Sequence, residues 1–511
     1  MRRILQDGTW LAALASGLLL ALSFPTPGIS LVAWFGLVPL LVGTRRHYFR
    51  DGFLAGLAFF AAVLYWLNIV MTTYGGLSWP LAIAAYLLLA FYLALFFGVA
   101  TWLCGRLRAD KGLSYALTLP IVWVGLEYVR EFLLSGFPWA TLGYSQQSLW
   151  LIQSADLFGV YGISFLLVLC NAVLAEMILA WRGPAELPYR GTAVLVLLFV
   201  LNLGYGWHRL GQDLEARDIE LDTAVIQGNV DQAVKWHPAF RDQTIVRYLD
   251  LSLQAHAAGA SDLIIWPEAA LPFYFQNGGP LANKIRLLTQ KVEGHLLFGS
   301  PAYRREGTDQ TSLNSAYLLA PDGQVVGRSD KVHLVPFGEY VPLKPLLPFV
   351  DKLVVGIGDF SPGEIRPLPL AGHEVGVLVC YEAIFPELAR DFVARGSDLL
   401  INITNDAWFG RSSAPGQHLD MVRFRAIENR VWVARAANTG ISAFVTPGGR
   451  IIAATDLFET TFATARLGLG ARPGFYAATG NLFPRIFLVL SIFWLLLIKV
   501  TAIQSSWLKK G

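Results

Sequence analysis

The stretch Val377-Leu-Val-Cys-Tyr-Glu-Ala-Ile-Phe-Pro386 predicts a buried strand that delivers a cysteine to its end. Apolar and β-branched residues favour a strand up to Val379, and Pro386 is typical of the first turn of a helix. Cys380 would then lie at a strand-to-helix elbow, beside backbone N–H groups that can stabilise a developing oxyanion. A lone cysteine in an apolar run is more often a small buried hydrophobe, so the prediction of a nucleophile depends on residues elsewhere in the chain.

Two ionisable residues follow or end other apolar, strand-like runs. Glu268 ends Leu263-Ile-Ile-Trp-Pro-Glu268, and Lys331 opens Lys331-Val-His-Leu-Val-Pro-Phe-Gly-Glu-Tyr-Val-Pro342. Since a carboxylate at the end of an apolar strand is partly desolvated, Glu268 is the best candidate for the base that activates the thiol. Lys331 would supply a fixed positive charge for both the thiolate and the oxyanion. The sequence therefore predicts a catalytic set of Glu268, Lys331 and Cys380.

Neighbouring residues are predicted to support this set. Glu339 follows Lys331 in the same motif and could orient that lysine or share a proton with Glu268. Glu382 could hold Lys331 or a helix N-terminus, and the N–H of Tyr381 could bind the oxyanion. A carboxylate taken alone is more often a solvated surface group, so it is the flanking sequence that makes these residues candidates.

The cysteines and histidines give no indication of a metal site or a disulfide framework. Cys104 and Cys170 lie in or beside apolar spans, where cysteine is usually an inert packing residue. The chain has no CxxC pair and no His-rich metal spacing. No metal or other cofactor is therefore predicted.

The composition is typical of a polytopic membrane protein. Of 511 residues, 54% are hydrophobic and only 15% are charged, and the mean hydropathy is +0.48. A purely soluble protein is excluded by these values. The formal net charge of +3 gives no support to a nucleic-acid partner.

Eight apolar spans predict an α-helical membrane bundle with one inserted α/β domain. The segment between the last two spans has mixed composition and is long enough for a globular domain. The predicted domains are residues 1–210 for a bundle of seven transmembrane helices, 211–480 for the inserted domain, and 481–511 for an eighth helix and tail. The predicted spans are 10–24, 28–43, 52–71, 79–104, 113–133, 158–181, 191–208 and 485–504.

Positive charge predicts the orientation of the bundle. Arg and Lys crowd alternate connections between the spans, whereas the connections at 25–28, 72–78 and 134–157 carry neither. By the positive-inside rule, both termini are cytoplasmic and the inserted domain lies on the opposite side. In a bacterium with two membranes, this predicts an inner-membrane protein with a periplasmic domain.

Strand-like runs in the insertion predict a layered α/β fold with a mixed sheet. Strands and helices alternate at first, and hairpins marked by Asp322-Gly323 and Pro447-Gly-Gly449 enter later. The predicted strands include 223–229, 262–266, 295–300, 315–320, 324–327, 375–379, 398–402, 431–437 and 442–445, and a helix is predicted over 418–430.

Two segments favour a site that opens toward lipid. Residues 135–150 are aromatic, polar and uncharged, and could form an interfacial belt or part of a vestibule. The apolar segment Leu343-Lys-Pro-Leu-Leu-Pro-Phe-Val350, continuing to Gly356-Ile-Gly358, is broken by Pro and Gly. It could be a mobile lid or an ordinary loop over the core.

The motifs around the predicted catalytic set resemble those of two related families. The inserted domain is similar to the nitrilase superfamily, whose Glu–Lys–Cys set matches Glu268, Lys331 and Cys380, and the whole chain resembles the apolipoprotein N-acyltransferase family. Other positions that are important in that family are occupied by Trp236, Glu339, Tyr381 and Glu382. The motifs that carry the resemblance are Gly136-Phe-Pro-Trp139, Gly143-Tyr144, Trp266-Pro-Glu268, Lys331 to Pro342, Cys380-Tyr-Glu382, Asn405-Asp-Ala-Trp-Phe-Gly410, Arg425-Ala-Ile-Glu-Asn-Arg430 and Asn438-Thr-Gly440.

The resemblance implies ping-pong acyl transfer by a nitrilase-like αββα sandwich domain. Cys380 would attack the sn-1 ester of a phospholipid, typically phosphatidylethanolamine, and form a thioester. The α-amine of the diacylglyceryl-cysteine of an apolipoprotein would then take the acyl group as an amide, in the last step of lipoprotein maturation. The implied partners are a phospholipid donor, an apolipoprotein acceptor and the membrane, with no nucleic acid, and a monomer is expected.

Two other functions compete with acyl transfer. A membrane-tethered nitrilase-type amidase would use the same three residues with water on a soluble amide, and only the apolar segments favour a lipid substrate over it. A transporter or receptor would carry ionisable residues at several mid-membrane positions. Apart from Glu176 and the group Glu127, Arg130 and Glu131, the spans are nearly free of charge, which disfavours transport.

Overall fold

The chain divides into two compact units. The computed structural model describes residues 8–183, 186–212, 219–232, 235–307, 309–342, 360–470 and 473–508. The first unit comprises Met1–Tyr65, Ile83–Arg209 and Thr479–Gly511, and the second comprises Trp66–Ala82 and Leu210–Ala478. The segment predicted as a lid, 343–350 and 356–358, lies outside the described residues.

Helices build the first unit and the outer layers of the second. Their sequences are rich in Leu and Ala, which are strong helix formers. In chain order the helices are α1 Thr9–Ala21, α2 Val38–Gly43, α3 Tyr48–Val63, α4 Leu67–Ile69, α5 Trp79–Lys111, α6 Tyr115–Phe132, α7 Leu149–Ile152, α8 Ala155–Phe158, α9 Val160–Trp181, α10 Tyr189–Leu210, α11 Arg241–Ala257, α12 Pro280–Val292, α13 Pro386–Ala394, α14 Ala414–Asn429, α15 Phe475–Thr479 and α16 Leu482–Leu508.

The described helices include several that could cross a membrane. Four of them, α5, α9, α10 and α16, are long and apolar enough, or five if the bent pair Tyr48–Val63 and Leu67–Tyr74 is one span. The sequence predicts about eight membrane spans. The difference arises at three predicted spans. Helix α1 has only 13 residues, fewer than the ~20 that cross a bilayer, and the span predicted over 28–43 is a 3₁₀ helix, Ser30–Trp34, followed by the short helix α2. Helix α6 carries three charged residues. The count of eight therefore stays a prediction, whereas the presence of several apolar helices is confirmed.

The charged residues of α6 hold the aromatic segment that follows it. Arg130 donates to the carbonyl oxygen of Trp139 and to the hydroxyl of Thr141, both at 3.0 Å. Oε1 of Glu127 accepts the backbone N–H of Leu142 at 2.8 Å. Most of residues 136–146 are buried, which disagrees with a simple interfacial belt.

The second unit contains two six-stranded sheets. Its described strands are β1 Ile219–Gln227, β2 Leu263–Ile265, β3 His295–Glu306, β4 Asp309–Leu319, β5 Val325–Asp330, β6 Leu368–Leu370, β7 His373–Val379, β8 Ser397–Thr404, β9 Trp432–Ala437, β10 Ala443–Val445, β11 Ile451–Ala454 and β12 Thr461–Leu469. The strand orders are β12-β1-β2-β3-β4-β5 and β11-β10-β9-β8-β7-β6. Strands β1 to β3 run parallel, as do β7 to β9, and antiparallel strands complete both sheets.

The second unit has four layers, in the order helices, sheet, sheet, helices. Because side chains alternate along a strand, each sheet packs on the other sheet with one face and on helices with the opposite face. Val377 and Val379 of β7 share a buried cluster with Leu263 and Ile265 of the other sheet, whereas Leu378 faces the helical side. Helices α11 and α12 cover the outer face of the first sheet, and α13 and α14 cover that of the second. The predicted α/β layer fold is therefore confirmed. The sequence did not predict β12, an edge strand that is only partly buried over its first six residues.

Candidate active site

The three predicted catalytic residues each follow the end of a strand. Glu268 lies three residues after β2, Lys331 directly follows β5, and Cys380 directly follows β7. Glu268 and Lys331 thus come from one sheet and Cys380 from the other. All three are buried, and Cys380 interacts electrostatically with both of the others. The sandwich brings them together at one site.

Glu268 is held by donors from both sheets. Its Oε1 accepts the side-chain N–H of Asn314 on β4 at 2.8 Å and lies 3.6 Å from Nζ of Lys331. Its Oε2 accepts the backbone N–H of Asn405, which directly follows β8, at 3.0 Å. The carboxylate is therefore fixed in orientation and removed from bulk water, as a general base requires.

Lys331 lies between two carboxylates. Its Nζ donates to Oε1 of Glu339 at 2.9 Å, and Asn314 donates to the same oxygen at 2.9 Å. Burial acts to lower the pKa of Lys331, but the charges of Glu339 and Glu268 outweigh it and raise the pKa. The two carboxylates therefore favour the charged form of the lysine. Of the two roles considered for Glu339, this geometry matches the orientation of Lys331.

Cys380 occupies a strained elbow. Its φ is 53°, in the left-handed region that residues other than glycine rarely adopt, and it opens the 3₁₀ helix Cys380–Ile384. Only 9% of the residue is exposed. Burial and the charge of Glu268 raise the pKa of the thiol, against the lowering effect of Lys331. Burial therefore favours the neutral thiol, so a nearby base is needed to form the thiolate.

Glu382 ties this elbow to the loop that follows Lys331. Its Oε1 accepts the backbone N–H groups of Val332 and His333 at 2.6 and 2.9 Å, and its Oε2 accepts that of Val379 at 2.6 Å. Burial raises the pKa of Glu382 to about 7, although these hydrogen bonds act to lower it. Of the two roles predicted for Glu382, the structure shows the helix N-terminus, because Val379 is the N-cap of the 3₁₀ helix Cys380–Ile384. Its other oxygen binds the loop after Lys331 and, within the described residues, Glu382 makes no direct ion pair with the Lys331 ammonium.

The two aromatic residues predicted at the site, Tyr381 and Trp236, differ in their surroundings. The ring of Tyr381 packs against His333 and Phe385, with centroids 5.9 and 5.2 Å apart. The side chain of Trp236 is 47% exposed. The residue before it, Lys235, is buried instead, and its Nζ donates to the peptide oxygen of Glu268 at 3.2 Å.

A buried ion-pair network adjoins the elbow. Arg435 on β9 donates to Oδ2 of Asp406 at 2.6 Å, and Nδ1 of His418 on α14 lies 3.3 Å from Oδ1 of the same carboxylate. Thr404 donates to Oδ1 of Asp406 at 2.8 Å and interacts with the thiol of Cys380. His418 interacts with the backbone of Cys380. The network therefore links β8, β9 and α14 to the predicted nucleophile.

Asp406→Asn should destabilise the second unit by about 3–5 kcal/mol, because it leaves the buried guanidinium of Arg435 uncompensated. Burial acts to raise the pKa of Asp406, but Arg435 and His418 bring it well below its usual range. A depressed folded-state pKa means that the ion pair contributes its stability above the unfolded pKa of about 3.9 and loses it as the pH falls further. Thermal unfolding of the detergent-solubilised protein at neutral pH measures the effect.

Asp391→Asn is the matched control for this variant. Asp391 pairs with Arg390 near the surface, where the two side chains are 36% and 26% exposed. Such pairs contribute roughly 0–1 kcal/mol, so the control should unfold close to the wild-type temperature. Equal unfolding temperatures for the two variants would contradict a stabilising role for the buried network.

Several residues of this site were not predicted as site residues, among them Asp406, Asn314 and Lys235. Asp406 lies in the motif Asn405-Asp-Ala-Trp-Phe-Gly410, so a local signal existed. Lys235 directly precedes Trp236, which is a predicted site residue. Asn314 has no local signal, because it acts on Glu268 from 46 positions away. Among the described residues, no group of three or more His, Cys, Asp or Glu side chains is arranged to hold a metal ion.

Two family models and many relatives match this chain. Residues 16–173 match the model of the apolipoprotein N-acyltransferase N-terminal domain, and residues 222–471 match that of carbon-nitrogen hydrolases. An apolipoprotein N-acyltransferase of Geobacter metallireducens is 49% identical over 93% of this chain and 92% of its own. Another, of Methylococcus capsulatus, is 36% identical over 92% of each chain.

Solved structures match about half of this chain at low similarity. An amidase of the nitrilase superfamily from Nesterenkonia AN1 is 22% identical, with a TM-score of 0.38, over 51% of this chain and 94% of that one. Because these values are low, the functional assignment depends on the family models and the full-length relatives.

Proposed function

Because this chain belongs to the apolipoprotein N-acyltransferase family, we propose that Cys380 carries the acyl group from donor to acceptor as a thioester. The protein is a membrane acyltransferase that takes an acyl chain from a phospholipid and N-acylates an apolipoprotein. The observation that best supports Cys380 is its position at a strained strand end, within electrostatic reach of Glu268 and Lys331.

In the first half-reaction, Glu268 takes the proton of the Cys380 thiol, and the thiolate attacks the carbonyl carbon of the sn-1 ester. The charge of Lys331 and the backbone N–H of Tyr381 stabilise the oxyanion of the tetrahedral intermediate. The C–O bond then breaks, and the lysophospholipid leaves with the proton from Glu268. The acyl group remains on sulfur.

In the second half-reaction, the α-amine of the diacylglyceryl-cysteine attacks the thioester. Glu268 accepts the proton that the nitrogen loses, the C–S bond breaks, and the same proton returns to the departing thiolate of Cys380. The product is an amide and the enzyme regains its starting state, which is the pattern of ping-pong kinetics. These steps need no metal or cofactor.

Four neighbouring residues support these steps in the proposal. Glu339 fixes Lys331 through the 2.9 Å ion pair, and Glu382 clamps the backbone around it. Tyr381 supplies its N–H to the oxyanion. Trp236, with its exposed ring, forms part of the apolar surface that receives substrate.

The alternation of charged and uncharged connections supports a bacterial inner-membrane enzyme with cytoplasmic termini and a periplasmic catalytic domain. About eight spans would lie in residues 1–210 and 481–511, and residues 211–480 would form the catalytic domain. Phosphatidylethanolamine as the preferred donor and a monomeric state belong to the same proposal.

The proposal is tested by following a labelled acyl chain. Full-length protein is incubated with a phospholipid labelled in its sn-1 chain, without acceptor. We expect about one protein-bound acyl chain per released lysophospholipid, labile to neutral hydroxylamine, and its movement to a diacylglyceryl peptide when that acceptor is added. Hydrolysis of a soluble amide, with no label on the protein, would instead support a nitrilase-type amidase.

A further inference from the structure

A buried lysine that the proposed steps do not use lies next to the catalytic carboxylate. Lys235 is 1% exposed, although lysine is almost never fully buried unless it is paired. Its Nζ hydrogen-bonds the peptide oxygen of Glu268 at 3.2 Å, and within the described residues it makes no direct ion pair. It interacts electrostatically with both Glu268 and Cys380.

The excess of negative charge in the site explains why a second cation, Lys235, is buried there. Glu268 and Glu339 are buried together with Lys331, so these three groups leave one negative charge uncompensated. Ionised Glu382 adds to that excess. Because an uncompensated buried charge is strongly unfavourable, Lys235 supplies positive charge that the site otherwise lacks.

The position of Lys235 also matches the path of the proton. When the Cys380 thiol gives its proton to Glu268, negative charge moves from the carboxylate to the sulfur. Since Lys235 interacts with both groups, it can stabilise the negative charge on Glu268 before the transfer and on the Cys380 sulfur after it. Burial lowers the pKa of Lys235 to about 8, against the charges of Glu268 and Cys380, so the ammonium form still dominates at pH 7.

We propose that Lys235 is a positioning residue of the active site, which holds the peptide of Glu268 and balances the buried negative charge so that Cys380 can ionise. This inference rests on the proposed function, in which Cys380 is the nucleophile. Other charged groups that act on Cys380 include Glu268, Lys331 and Asp406, and His418 interacts with its backbone; a substitution at position 235 removes none of these side chains.

The test is the pH dependence of Cys380 alkylation in the full-length protein, which needs no phospholipid. Iodoacetamide is applied across a pH series, and the peptide containing Cys380 is quantified by mass spectrometry. Lys235→Met should shift the curve of alkylation rate against pH by about one unit to higher pH. At a given pH below the plateau, the alkylation rate should therefore fall about tenfold. Lys235→Arg should keep the wild-type profile, as should Lys291→Met, which removes an exposed lysine of the same unit.

Two results would overturn the inference: a folded Lys235→Met protein with the wild-type profile, or a Lys235→Arg protein with the same shift as Lys235→Met, which would assign the effect to packing. Folding is checked by thermal unfolding, and if Lys235→Met does not fold, Lys235→Gln is compared with Lys235→Arg. A shifted profile in an enzyme that never forms an acyl thioester would reject the proposed function and keep this inference. Intact acyl transfer in an enzyme whose alkylation profile is unshifted by Lys235→Met would reject this inference and keep the proposed function.

Discussion

Cys380→Ala is expected to reduce acyl transfer by at least about 10⁴-fold, because the atom that carries the acyl group is removed. Release of lysophospholipid and the hydroxylamine-labile acyl mass should both disappear. The variant should still fold, since alanine at a φ of 53° is no more strained than cysteine. Intact-protein mass spectrometry after incubation with phospholipid, combined with thermal unfolding, separates lost chemistry from lost structure.

The other two cysteines are matched controls for this result. Cys104 is buried in α5 and Cys170 is partly buried in α9, so each belongs to the helical unit. Cys104→Ala and Cys170→Ala should therefore retain the acyl thioester. A thioester that persists in Cys380→Ala and vanishes in either control would contradict the assignment of the nucleophile.

The strand that presents Cys380 was predictable because of where it lies in the sheet. A parallel strand that is buried on both faces must be a continuous apolar run, and β7 is buried from Val375 to Val379. An ionisable or nucleophilic residue directly after such a run stands out in the sequence. Glu268 follows the same rule less closely, since it lies three residues after the buried parallel strand β2. Lys331 does not follow it, because β5 is an antiparallel edge strand that is largely exposed or half-buried. The prediction of Lys331 therefore depended on the motif Lys331 to Pro342.

The partners of these residues could not be predicted in the same way. Glu382 caps the helix end that directly surrounds it, as predicted, but its other oxygen accepts N–H groups from Val332 and His333, which lie 50 and 49 positions earlier. Every residue except proline has a backbone N–H, so such an acceptor has no distinctive partner in the sequence. Asn314 was missed because its two acceptors, Glu268 and Glu339, meet it only in the folded sandwich.

Glu268→Gln is expected to slow thioester formation by about 10²–10⁴-fold, the contribution of a well-placed general base. The amide cannot take the thiol proton, and it also disturbs the site. Asn314 and Asn405 both donate to the carboxylate, so the amide NH₂ must face one of these two donors. Single-turnover release of lysophospholipid measures the loss.

Glu268→Asp separates the missing base from the disturbed hydrogen bonds. It keeps the charge and both acceptors but draws the carboxylate back by one methylene, and a displacement of about 1 Å costs roughly 10²-fold. The aspartate variant should therefore be slower than wild type and faster than the glutamine variant, whereas Glu459→Gln, at an exposed position of the same unit, should retain the full rate. A Glu268→Gln enzyme within about tenfold of wild type would assign the proton transfer to Glu339, the other carboxylate that pairs with Lys331.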